Sequence, residues 1–213
     1  MRLTGSKEKL SGNGFTLIEL LTVIFIISVL AAMTVMLFTM AREKALRKRA
    51  EAQKAQLMAA IDSYHSHHGI YPPDNPGYPE RSVLYYELTG VQVDASGTFT
   101  DVAGRPIDLS QFAGNMGGIV NSAKPPEKAP NFLARATDIK TVEYAANALL
   151  LQAPSERPSG LADPPPPIPS KPEVNVWYYV STKPTNNPNS YDLWTYVYLR
   201  GTNRALIANW RIK

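Results

Sequence analysis

The chain contains no cysteine. That excludes disulfide staples, cysteine-ligated zinc and thiol catalysis. It leaves the compartment open, because many exported proteins also lack cysteine. Excess charge of one sign is missing too: 22 Lys+Arg stand against 18 Asp+Glu, a formal net charge of +4. So mild a balance gives no ground by itself for nucleic-acid binding. The signatures of chemistry are absent as well. There is no phosphate-cradling glycine loop, no Gly-x-Ser-x-Gly, no His-Glu-x-x-His and no metal-ligand spacing. The isolated acids form no readable pair, so the sequence does not read as an enzyme. Two further absences are local. Residues 20–40 carry no charge, and residues 15–68 contain neither proline nor glycine.

What is present begins with a short polar segment, MRLTGSKEKLSGNG, in which Arg2, Lys7 and Lys9 face Glu8. An apolar run follows, FTLIELLTVIFIISVLAAMTVMLFTMA. As a helix, its uncharged part from Leu20 to Met40 spans roughly 31 Å, the thickness of a bilayer core. A secretory signal would be shorter and would end at a small-x-small cleavage site. A retained membrane helix is therefore expected. Glu19 breaks the pattern near its start. An ionisable residue there is costly unless paired or kept at the interface, which makes it a functional candidate. The plainer account is a hydrated residue marking the membrane edge.

Gly14-Phe15-Thr16-Leu17-Ile18-Glu19-Leu20-Leu21 closely resembles the cleavage and methylation site of type IV prepilins and type II secretion pseudopilins. The resemblance extends over residues 12–40. It implies that a dedicated membrane peptidase cuts after Gly14 and N-methylates the new first residue, Phe15. The family's assembly glutamate falls on Glu19. The amine created on Phe15 can be neutralised by Glu19 of a neighbouring copy, since either charge alone is penalised in low dielectric. The implied partners are the prepilin peptidase, other copies and related pseudopilins, an inner-membrane assembly platform and membrane lipid. No cofactor or metal is implied. The implied location is a single pass through a bacterial inner membrane, leader cytoplasmic and head periplasmic, and then the filament. One signal opposes that orientation. Arg42, Lys44, Arg47, Lys48 and Arg49 outnumber Glu43 after the apolar run, and the positive-inside rule would place that flank in the cytoplasm. The family's helix-breaking proline falls on Met36, so a kink there does not transfer.

The expected fold class is α+β: a long N-terminal helix packed on a small C-terminal antiparallel sheet. The segments are a leader over 1–14, a membrane helix over 15–41 and its soluble continuation over 42–69. A loop-rich region with short helices over 70–172 and a β-meander over 173–213 follow. Leu46, Ala50, Leu57, Ile61 and Tyr64 recur at helical spacing and predict a narrow packing stripe. Gly69 and Tyr71-Pro72-Pro73 predict the helix end. Ser82–Leu88 reads as a short helix stopped at Gly90, and Asp138–Gln152 as a second. The prolines 164–167 read as an extended surface spacer. Val174–Ser181, Asp192–Arg200 and Ala205–Trp210 read as three strands. His65 and His68 share a helix face, so a metal site is conceivable, but solvated residues at a helix end are the better reading.

The words Asn189-Ser190-Tyr191-Asp192-Leu193-Trp194 and Asn209-Trp210 are similar to the C-terminal region of the major type II pseudopilin. The family's loop there binds calcium. Here Asp192 is the sole acid across residues 182–213, too few for a tight calcium site. The function expected from all this is a structural subunit of a type II secretion pseudopilus or a related type IV pilus-like filament. One alternative is a DNA-binding or adhesive minor pilin, with Arg42–Arg49 on phosphates. The plainer account pairs these cations with neighbouring subunits' acids or places them at headgroups. A weaker alternative is a membrane-anchored periplasmic enzyme.

Overall fold

A computed structural model describes residues 14–112, 118–199 and 203–211, with Met36 described by its backbone alone. Residues 1–13 of the expected leader and residues 200–202, at the end of the expected strand Asp192–Arg200, lie outside the described residues. The first element, α1, runs from Leu17 to His68, 52 residues. Its continuity follows from the missing prolines and glycines and from the strong helix formers of residues 41–62. It stops at Gly69, whose φ of +75° is the left-handed conformation that ends helices.

The chain divides into two compact units, one up to Arg42 and one from Glu43 onward. In the first, the apolar side chains point outward; Phe15 and Leu17 are about as exposed as a side chain can be. Three hydroxyls inside the run are turned back onto the helix. Thr22 donates to the Ile18 carbonyl at 2.8 Å, Ser28 to Ile24 at 2.7 Å and Thr34 to Leu30 at 2.8 Å. Each thereby satisfies its own hydrogen atom without water. The helix is long and apolar enough to cross a membrane.

In the second unit the predicted stripe is the heart of the core. Ala50, Leu57, Ile61 and Tyr64 are fully buried, and Leu46 packs at the margin. Gln53 lies in the same stripe, buried, with Nε2 donating to the Asp138 carbonyl at 2.6 Å and Oε1 accepting from Trp177 Nε1 at 3.2 Å. The stripe meets one face of a three-stranded antiparallel sheet. Its strands will be β6 (Tyr178–Val180), β7 (Asp192–Tyr198) and β8 (Arg204–Ala208), adjacent in chain order. Strand alternation sends Trp177, Tyr179, Leu193, Val197 and Ile207 toward the helix. Tyr178, Trp194 and Tyr196 go the other way, into a second apolar cluster with Val83, Tyr86 and Phe112. The sheet is thus sandwiched between two cores. The meander matches its expectation, with β6 shorter than Val174–Ser181. Val176 and Trp177 pair instead with the end of the preceding hairpin.

That hairpin corrects an expectation. Residues 138–152 form no helix. They form β4 (Lys140–Ala145) and β5 (Ala148–Gln152), paired antiparallel from Lys140 with Gln152 to Ala145 with Ala148. Asn147 makes the turn with φ +60°, a conformation asparagine tolerates better than most residues. Its backbone is irregular at Tyr144, where the register shifts. Buried on both sides, Ala148–Leu151 reads as an unbroken apolar run, the form shared by core helices and core strands.

The short helix α2 (Leu84–Thr89) starts two residues after and ends one residue beyond the expected Ser82–Leu88, and it stops at Gly90. Only glycine fits there: φ is +75° with ψ 151°, and a Cβ would lie 2.8 Å from that of Ala129. β1 (Val91–Val93) then pairs antiparallel with β2 (Phe99–Thr100) and parallel with β3 (Ser122–Ala123). The proline-rich segment is held rather than free. Buried Arg157 donates to the carbonyls of Leu161 and Pro164, and exposed Arg204 pairs with Asp163 at 3.2 Å.

Candidate functional site

The N-terminal site is built by the helix start. Thr16 caps α1 and Glu19 stands at its third position. The Thr16 amide and hydroxyl donate to Glu19 Oε2 at 2.9 and 2.6 Å, and the Glu19 amide donates back to Thr16 Oγ1 at 3.3 Å. This reciprocal capping box satisfies donors that a helix start otherwise leaves unpaired. The sequence signal was there to be read: Thr-Leu-Ile-Glu is a Ser/Thr-x-x-Glu pattern opening an apolar run. The carboxylate also sits at the positive end of the helix, where a negative charge is favoured. Gly14 and Phe15 immediately precede the cap as exposed residues outside the helix, and nothing lies within 4 Å of a Cβ added at Gly14. Gly14, Phe15 and Glu19 are therefore together at one helix start, with the site's glycine accessible and its carboxylate already oriented.

The basic run is not uniform. Arg49 forms a bidentate pair with Asp138 of its own chain, Nε and Nη2 each 2.6 Å from a carboxylate oxygen. Hydrogen bonding from Arg49 holds Asp138 below the usual aspartate range, and Arg49 is raised in turn. For Arg49 alone this departs from the account in which the run reaches neighbouring subunits' acids or headgroups. Arg42, Lys44, Arg47 and Lys48 are exposed.

The histidines also differ from expectation, since two of the three are packed. His65 stacks on Tyr71 with ring centres 4.2 Å apart, and His68 lies 4.3 Å from Tyr64. Desolvation, with His67 beside it, lowers His68 from the ordinary histidine range. Among the described residues, no three metal-ligating side chains of His, Asp or Glu converge.

In the tail, buried Asp192 closes its loop with amides. Its oxygens accept from the backbone and side-chain amides of Asn186 at 2.9 and 3.0 Å, and from those of Asn187 at 2.9 and 3.1 Å. Asn209 completes the staple. It donates to the Tyr191 carbonyl at 2.8 Å and accepts from the Leu193 amide at 2.9 Å. With every oxygen of the lone acid so engaged, the donor set does not suit a calcium ion. The Asn189-Ser190-Tyr191-Asp192 wording pointed to this loop; that asparagines close it was not legible without the register of β7 on β8.

Comparison with known proteins bears on the same regions. The family profile of the prokaryotic N-terminal methylation motif matches residues 11–35. The chain is also similar to the type IV wide pilus major component PilA4 of Thermus thermophilus. The two are 30% identical over 118 residues, which is 55% of this chain and 85% of that relative. No solved structure matches the chain.

Proposed function

The chain belongs to the type IV pilin-like proteins that carry a prepilin N-terminal methylation motif, and from that premise we propose that it is a structural subunit of a type IV pilus-like filament. Processing releases Gly14 and leaves Phe15 as a methylated N-terminus. The helix from Phe15 anchors the subunit in the inner membrane, leader inside and head outside, until assembly. Glu19 then neutralises the Phe15 amine of a neighbouring copy. The observation that carries this reading is the helix start. An oriented carboxylate at the head of an exposed apolar helix gives docking an axial register that greasy packing alone would not.

A pilus, rather than a secretion pseudopilus, is supported by the relative, which is named as the major component of a wide pilus. The second reading, a type II secretion pseudopilin, rests on residues 189–194 and 209–210. Deleting the chain in its own host separates them: loss of surface filaments supports the first, loss of secreted proteins with filaments intact the second. Processing is tested by Gly14→Leu. The variant should accumulate as unshortened precursor. A precursor still trimmed by about 14 residues, the leader length expected from the site, would remove Gly14 from the cleavage site.

A further inference from the structure

The basic run after the membrane segment divides in the structure. Arg49 turns inward to Asp138. Lys44, Arg47 and Lys48 stay exposed, and the spacing i, i+3, i+4 puts them on one helical face. Leu46 and Ala50 point elsewhere, into the head core. Among the described residues no ion pair is formed by these three cations; of the nearby acids, Glu51 is held by Lys54 at 2.5 Å and Glu43 has an interaction of its own. Lys44 follows Met40, the last large apolar residue of the uncharged run, by four positions and Lys48 by eight. Long basic side chains placed there reach back along the helix to a headgroup layer.

We propose that Lys44, Arg47 and Lys48 form a docking face for anionic phospholipid headgroups at the Met40 end of the membrane span. The proposal rests on the reading of residues 15–41 as a membrane helix. Charge complementarity selects the occupant. Three unpaired cations on one face next to an apolar segment match a layer of phosphate monoanions better than they match another subunit's apolar helix. Before assembly, the face would gather anionic lipid around the subunit. In the filament, where lipid is left behind, the same cations are released to other partners.

The missing cysteines make the test clean. Exposed Ala45 is changed to Cys in the full chain and labelled with a fluorescent donor. The protein is reconstituted into vesicles of phosphatidylcholine and phosphatidylglycerol, and energy transfer is read to either lipid carrying the same headgroup acceptor. Alkali-resistant association with vesicles of both compositions checks the membrane reading separately; its failure would sink that reading, and the proposal with it. With insertion intact, transfer to phosphatidylglycerol should exceed transfer to phosphatidylcholine by about threefold or more at low salt. Molar salt should erase the excess, as should Lys44→Gln with Arg47→Gln and Lys48→Gln. Lys44→Arg with Lys48→Arg should keep it. Equal transfer to the two lipids, or an excess that survives the triple substitution, overturns the proposal. So does transfer that rises only with protein density, which would assign the face to a second copy.

Discussion

Glu87 lies fully buried on α2, where three neutral donors hold its carboxylate. Tyr64 Oη, Val120 N and Asn121 N each stand 2.9 Å away. Desolvation outweighs these donors and raises its pKa above the ordinary carboxylate value. A raised acid stabilises the fold below its unfolded pKa, and that contribution is lost as pH rises through the folded pKa. The chain should therefore lose this part of its stability as pH rises above the ordinary glutamate range and through the raised folded value. Glu87→Gln should flatten that slope in urea unfolding of the detergent-solubilised chain. It should also cost about 1–3 kcal/mol, because its new N–H groups face donors. A slope unchanged by the substitution would clear Glu87. Asp138 runs the other way. Its depressed pKa gives stability that is present above the ordinary aspartate range and is lost as pH falls through the lowered value. The pair is 40% and 37% exposed, so solvent limits its worth to about 0.5–1 kcal/mol. Asp138→Asn should cost that much, and adding Arg49→Gln to it should cost little more.

At the scale of elements, the β4–β5 hairpin turns on one residue. Asn147→Val, β-branched at φ +60°, should destabilise the head by about 1–3 kcal/mol, whereas Asn147→Gly should be near neutral. Thermal melts of the two variants would separate a strained turn from a merely exposed one. The same hairpin marks where sequence reading ran out. Val142, Ala145, Ala146, Leu149 and Leu150 sit at helical spacing, yet Ala146 lies in an exposed turn and the other four belong to two strands packed on the second core. No local pattern distinguishes such a run from a helix. The α1 stripe was legible because it has one dry face and a clear period, and the meander because its strands are β-branched and aromatic runs bounded by turn residues. Gln53 was not, since a buried amide is explained only by Trp177 and Asp138, far away in the chain. The site itself was legible as a short motif. Its capping geometry added how Glu19 is held in a lone subunit.

For the whole molecule, the proposed assembly places opposite demands on Glu19: it must be tolerated in a membrane and available to a neighbour. Glu19→Leu should leave insertion intact, remove the capping box and abolish most filament formation. Fractionation together with filament recovery checks both outcomes, and a normal filament yield would remove Glu19 from assembly. The tail staple carries a different consequence, one of timing. The loop around Asp192 is fastened by Asn209, from the far side of β8. A chain emerging N-terminus first would thread its helix into the bilayer long before that asparagine leaves the ribosome. On the proposed anchoring, the helix would therefore enter the bilayer before the loop around Asp192 is closed. Closure of this loop then marks a subunit whose synthesis has passed residue 209, so stalled or truncated chains reach the membrane with the loop unlatched.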